Sequence, residues 1–248
     1  MNILFSTIIF FAILLSGLII FKFKISDNKL RLLLAFGGAF ILSITFLEII
    51  PEIYKTKTSM FAGFFMLIGF LIQLFVDFLT KGADHGHRHE HHIGEEKHKS
   101  LSFSSLPLLI GVCIHSLIEA MPLSDLFENM EVKRALALGI VIHNIPISFV
   151  LIGLFMHSGY SKIKSFSLLT IFALAAPIGI LLSTRVGNLF NGNNDLFYTM
   201  TMSIVVGIFL HISTTVLFES SENHRFNFLK LFSIMVGIGL AVFITKGF

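Results

Sequence analysis

Charge is scarce in this chain. Only 13% of its 248 residues are Asp, Glu, Lys or Arg, while 54% are hydrophobic, and a water-soluble domain of that length needs far more charged surface. Tryptophan is absent, which leaves 3 Tyr and 29 Phe as the only aromatics to anchor the chain at membrane interfaces. A single cysteine, Cys113, excludes an intrachain disulfide. No glycine-rich phosphate loop is present, which argues against a nucleotide-driven machine. No long basic tract interleaved with aromatics is present either, so the pI near 9.0 does not point to nucleic acid.

What the chain has instead is apolar length. Mean hydropathy is +0.86, and eight runs approach the ~20 residues needed to cross a hydrocarbon core about 30 Å thick. They cover 2–21, 31–53, 59–79, 103–124, 134–157, 164–184, 197–218 and 226–246. The expected fold is an all-α polytopic membrane protein, a bundle of eight transmembrane helices forming one transmembrane domain over 1–248. The first run has no basic residue before it and no small-x-small cleavage site, so it reads as a retained helix. Lys and Arg divide 12 against 6 between the two sets of connections. The richer set follows helices 1, 3, 5 and 7, which predicts that both termini lie outside.

Only one connection is long. Residues 81–100, "KGADHGHRHEHHIGEEKHKS", hold six of the eleven histidines: His85, His87, His89, His91, His92 and His98. The stretch is polar and of low complexity, so it builds no core. By the charge bias it is cytoplasmic. Clustered imidazoles with nearby carboxylates suit a flexible metal-collecting loop, and with no Cys partners the spacing matches no zinc finger.

Ionisable side chains inside a bilayer are expensive and are functional candidates by default. In "IHSLIEAMPL", 114–123, His115 and Glu119 are four residues apart and share one helical face. In "IHNIPISFVL", 142–151, His143 and Asn144 fall near the middle of the next span. A short connection makes these spans antiparallel, so both midpoints meet at one depth. His115, Glu119 and His143, with the Asn144 amide, form a candidate metal site. Imidazole with carboxylate suits Zn2+, Fe2+ or Mn2+, whereas Ca2+ and Mg2+ want more oxygens. Pro122 and Pro146 in the same two helices each remove a backbone donor and fit a site lined by irregular backbone.

Glu48 and Glu52 around Pro51, with Asp125, Glu128 and Glu131, are expected to form an acidic outer mouth that concentrates cations. His211 and Glu219 are candidates for the path inward, and Asp77 is expected at the inner interface.

These motifs resemble the ZIP (Zrt/Irt-like protein) family of divalent metal transporters. The resemblance rests on the eight spans, the His-rich loop between helices 3 and 4, "FLEIIPE" at 46–52, "HSLIEA" at 115–120, "HNIPIS" at 143–148 and "APIG" at 176–179. It implies import of zinc, or of iron or manganese, into the cytoplasm across a plasma (inner) membrane, through a site on helices 4 and 5, in a homodimer. The divalent metal is then substrate, and no prosthetic group is expected. Three positions depart from the pattern: Ser116 stands where Asn is frequent, Ile147 where a Glu is usual, and Ala176 where a Glu often precedes the Pro-x-Gly. The last two remove anionic ligands, which predicts one weak site rather than two. Protons should compete with metal for the histidines below about pH 6.5.

Two other readings are weighed. A metal-binding or sensor protein on the same scaffold would bind without flux. An intramembrane metal hydrolase is disfavoured by the lack of His-Glu-x-x-His and of a second carboxylate base near the cluster.

Overall fold

The computed structural model describes residues 2–23, 25–80, 105–190, 193–219 and 228–246. Among these residues there is no strand, and eight helical stretches are long and apolar enough to cross a membrane. They are α1 (Asn2–Lys22), α2 (Asp27–Ile53), α3 (Ser59–Thr80), α4 (Ser105–Leu123), α5 (Met130–His157), α6 (Lys162–Gly187), α7 (Asn194–Glu219) and α8 (Phe228–Lys246). The protein is an all-α polytopic membrane protein. Eight such helices among the described residues are the number that the apolar runs of the sequence predict.

Around α5 and the start of α6 the sequence supplies the caps. Asn129 precedes α5, and its Oδ1 accepts hydrogen bonds from the backbone N–H groups of Glu131 (3.1 Å) and Val132 (3.2 Å). At the other end Gly159 takes the left-handed conformation (φ 81°) that a residue without Cβ adopts at least cost. Two backbone bonds close that turn, Gly159 N–H to Met156 O and Tyr160 N–H to Phe155 O, both 3.1 Å. Ser161 then caps α6, accepting from Lys164 N–H.

The early start of α5 corrects the sequence reading, which began this span at 134 and counted Lys133 among the connection residues. Lys133 is buried, and its ammonium donates to the carbonyl oxygens of Ser124 (2.8 Å) and Phe127 (3.1 Å). A cation whose protons are taken by two carbonyls can sit within a helix without facing water. α2 likewise begins at Asp27 rather than 31, so Lys29 and Arg31 lie on its first turns.

Neighbours in space are not always neighbours in sequence. α3 packs most extensively on α7, α2 on α8 and α5, and α6 on α4 and α1, which also packs on α5. The α3–α7 pairing depends on two glycines. A Cβ at Gly69 would collide with the carbonyl of Ile204, and one at Gly207 with the carbonyl of Met66. Close backbone approach of this kind is the usual way membrane helices gain packing where lipid is as apolar as leucine. α5 is the most enclosed span; α3 and α8 are the least, presenting Phe64, Phe75, Phe78, Phe232 and Phe243 outward. α1 contributes Phe5, Ile9 and Ile13 to the core.

Candidate functional site

The four residues expected to form a metal site meet in the interior. His115, Glu119, His143 and Asn144 are all at most 3% exposed. Their helices are positioned from behind. α6 approaches α4 so closely at Gly179 that a Cβ there would strike the carbonyl of Leu117, next to the His115–Glu119 face. α2 backs onto α5, where a Cβ at Gly37 would stand 3.6 Å from His143 Cα. Pro146 interrupts α5 two residues beyond Asn144, and Ser148 Oγ donates to the Asn144 carbonyl at 2.7 Å. Pro122 does not kink α4: it sits in the 3₁₀ turn Met121–Leu123 that ends the span.

Glu119 is the hub. One oxygen, Oε1, accepts a hydrogen bond from Asn144 Nδ2 at 3.0 Å. The other, Oε2, lies 2.9 Å from His115 Nε2. The two imidazole rings are 5.7 Å apart at an interplanar angle of 79°, edge to face. The His115–Glu119 approach is short yet not aligned as a hydrogen bond, for neither His115 Nε2 nor Glu119 Oε2 has a hydrogen-bond partner. His115 Nδ1, His143 Nε2, Asn144 Oδ1 and Ser116 Oγ are likewise buried without one. The five of these atoms that belong to His115, Glu119, His143 and Asn144 gather in one buried cluster, and unpartnered polar atoms are costly in a membrane interior unless something else satisfies them. The side chains are gathered but not closed about a common point: among the described residues no three His, Cys, Asp or Glu are arranged to hold an ion as they stand.

A second polar cluster lies between α3 and α7. His211 Nδ1 is 3.3 Å from Asp77 Oδ2, and Gln73 Nε2 donates to Asp77 Oδ1 at 2.7 Å. Phe70 meets the His211 ring edge-on, centroids 4.8 Å apart. The sequence reading placed His211 on a path and left Asp77 at the interface. The sequence carried a signal only for Gln73 with Asp77, polar residues of α3 at i and i+4, and none for their meeting with His211.

At the other end of α2, Glu48 sits in a π-helical turn, Thr45–Ile49, just before Pro51, and single π turns recur at functional sites. Glu52 is ion-paired with Lys55 at 2.8 Å, and that hydrogen bond raises the Lys55 ammonium above its ordinary value. Asp125, Glu128 and Glu131 are exposed. The expected acidic mouth is therefore partly neutralised by Lys55. Nearby, Thr199 Oγ1 bridges Thr56 (2.8 Å) and Thr58 (2.6 Å), tying the α2–α3 connection to α7. Residues 81–100 with their six histidines lie outside the described residues, as does the Glu219 side chain.

Against models of known families, residues 79–245 match the one described as ZIP Zinc transporter. That is well over half of the chain. The chain belongs to the ZIP zinc transporter family. The matched part runs from the end of α3 through α8 and contains His115, Glu119, His143, Asn144 and His211; Glu48 and Glu52 precede it. Among curated proteins the chain is similar to zinc transporter ZIP9-A of Xenopus laevis, 23% identical over 202 residues, 66% of this chain and 65% of that protein. It is also similar to zinc transporter ZIP1 of Danio rerio, 23% identical over 217 residues, 72% of each. The chain thus covers slightly less than two-thirds of the length of the ZIP9-A relative.

Proposed function

We propose that this ZIP family chain moves a divalent metal cation, zinc in the first place, across a plasma (inner) membrane into the cytoplasm, with His115, Glu119 and His143 as the mid-membrane ligands. The observation that carries the reading is the set of unpartnered donor atoms gathered around Glu119. Imidazole nitrogens with one carboxylate form a donor set for zinc and its neighbours. Asn144 adds two things: its amide N–H holds Oε1 of Glu119, and its own Oδ1 is left for a ligand.

Loading would require only small shifts. His115 Nε2 and Glu119 Oε2 already face one another at 2.9 Å, so a cation entering between them replaces a misaligned contact with two bonds. The cation enters past Glu48 and Glu52, exchanges part of its water shell at the site, and leaves past His211 and Glu219 as one group of helices moves against another. The 81–100 segment, on the cytoplasmic side of this single transmembrane unit, collects metal after release. A homodimer is the proposed assembly.

The reading is tested by inward flux of Zn2+, Fe2+ and Mn2+ into proteoliposomes holding the native chain, the His115→Ala variant, or a chain lacking 84–98. Saturable flux lost in His115→Ala and only modulated by the deletion supports it. Binding without flux, lost only with the deletion, would replace it with a membrane metal-binding protein.

A further inference from the structure

We infer that the corner formed by the end of α1 and the start of α6 binds an anionic phospholipid, with Lys22, Lys162 and Lys164 on its headgroup and Phe23 and Ile163 on its acyl chains. Such a site needs only that the chain spans a bilayer, not that it carries metal.

Packing assembles the corner. α1 lies against α6, and the rings of Phe21 and Phe166 meet with centroids 6.5 Å apart. That contact brings Lys22, the last residue of α1, to the first turns of α6, where Lys162 and Lys164 stand. Gly159, in its left-handed conformation, turns the chain so that Tyr160 folds back towards Phe155, ring centroids 6.2 Å apart. Lys164 Nζ then lies over the Tyr160 ring, 4.0 Å from its centroid. A tyrosine at the end of a membrane helix marks headgroup depth, because its ring is apolar and its hydroxyl is not.

The positive charge here has no answer within the corner. All three lysines are exposed, and among the described residues none of them is in an ion pair. No Asp or Glu occurs in 1–26 or in 132–194, the two segments that build this surface. The next acid after Lys22 is Asp27, in the first turn of α2, where a carboxylate suits that helix's own N-terminus. The first turn of α6 has no acidic residue, and cations at a helix N-terminus oppose the helix dipole. Lys162 and Lys164 therefore do not stabilise α6 by their charge; an anion from outside the chain gives them a role.

What surrounds the lysines selects that anion. Beside them in the chain, Phe23 is 64% exposed and Ile163 81%, and Ile19 and Met156 are exposed as well. A soluble phosphate or an acidic peptide gains nothing from this apolar surface, whereas a phospholipid sets its chains on it and its phosphate on the lysines. A lysine near an anionic leaflet adds about fivefold to the attraction. α6 also backs α4 at Gly179, next to the His115–Glu119 face, so the lipid is held by a helix that supports the buried cluster.

The chain has no tryptophan, so Phe23→Trp gives the full-length protein a single fluorophore at the corner. The purified variant is reconstituted into phosphatidylcholine vesicles containing dibrominated phosphatidylglycerol or, in parallel, dibrominated phosphatidylcholine, which quench tryptophan on contact. Both leaflets carry the probe, so the orientation of the chain does not enter. Phosphatidylglycerol should quench as if enriched about fivefold or more over phosphatidylcholine, and the enrichment should shrink as salt rises. Lys22→Gln, Lys162→Gln and Lys164→Gln together should bring the two lipids to parity, while Arg at the same three positions should keep the preference. A reporter at Phe75→Trp, outward on α3, should show none. Equal quenching by the two lipids at Phe23→Trp, an enrichment that survives the Gln changes, or the same enrichment at Phe75→Trp would overturn the inference. Should the Gln variant fail to fold, the contrast between the two reporters and its salt dependence decide. Zinc flux enters none of these results, so the transport reading stands or falls separately.

Discussion

Oε1 of Glu119 on α4 accepts the amide proton of Asn144 on α5 at 3.0 Å, inside a region where both residues are fully buried. That bond fixes the orientation of the carboxylate and turns its second oxygen towards His115. Asn144 is thus a positioning residue for the carboxylate, and its own Oδ1, buried without a hydrogen-bond partner, is the atom proposed above as left for a ligand.

The two roles of Glu119 separate by substitution. Glu119→Gln keeps an oxygen for Asn144 to donate to but loses the charge, so the fold should persist while zinc flux falls by more than about tenfold. Glu119→Ala should lose flux and also stability, since burying the Asn144 amide without a partner costs about 1–3 kcal/mol. Flux together with thermal unfolding of the purified protein distinguishes the two. A Gln variant that carries zinc normally would show that the charge is not used.

The second polar cluster should affect rate more than binding. His211→Phe preserves a ring against Phe70 and removes the nitrogen that faces Asp77. Flux should slow severalfold while zinc remains at the α4–α5 site, as measured by initial rates beside equilibrium binding. Loss of binding at the α4–α5 site would show that the two clusters act as one.

Much of this arrangement was readable from the residues, for reasons that differ by element. The eight spans follow from apolar length, which the bilayer thickness dictates. The grouping of His115 with Glu119 follows from the 3.6-residue period, and their approach to His143 from a short connection between antiparallel helices. The pairing of Asp77 with His211 depends on α3 packing against α7, which lie far apart in the chain. What brings them together is backbone contact at Gly69 and Gly207, and no local pattern announces that partner. The π turn at Thr45–Ile49 is equally silent in the sequence. The start of α5 was misplaced because Lys133 looks like a boundary residue until its two carbonyl acceptors are seen.

Those acceptors make Lys133 a structural residue. Lys133→Met keeps the length of the side chain but leaves the carbonyls of Ser124 and Phe127 without its protons. The loss should be about 1.5–3 kcal/mol, the range for hydrogen bonds to charged groups, read as a lowered melting temperature with zinc binding unchanged. A variant as stable as the native chain would show that water or lipid head groups replace the amine without cost.

The α3–α7 contact is testable in the same way. Gly207→Ala adds one carbon against the Met66 carbonyl, where a backbone rather than a flexible side chain must yield. Overpacking of this kind costs about 1–3 kcal/mol. Melting of the purified variant should report it, and the same substitution at Gly153, where a Cβ meets nothing within 4 Å, should be nearly neutral. Equal effects at the two positions would contradict the close approach.

The most direct test of the account is zinc K-edge X-ray absorption on the chain lacking 84–98, loaded with one equivalent of zinc. The account predicts a first shell of imidazole nitrogens and carboxylate oxygen at about 2.0–2.1 Å, with the imidazole signal reduced in His143→Ala. A shell containing sulfur, or one that His143→Ala leaves unchanged, would mean that the cation rests elsewhere and that the cluster around Glu119 is not its site.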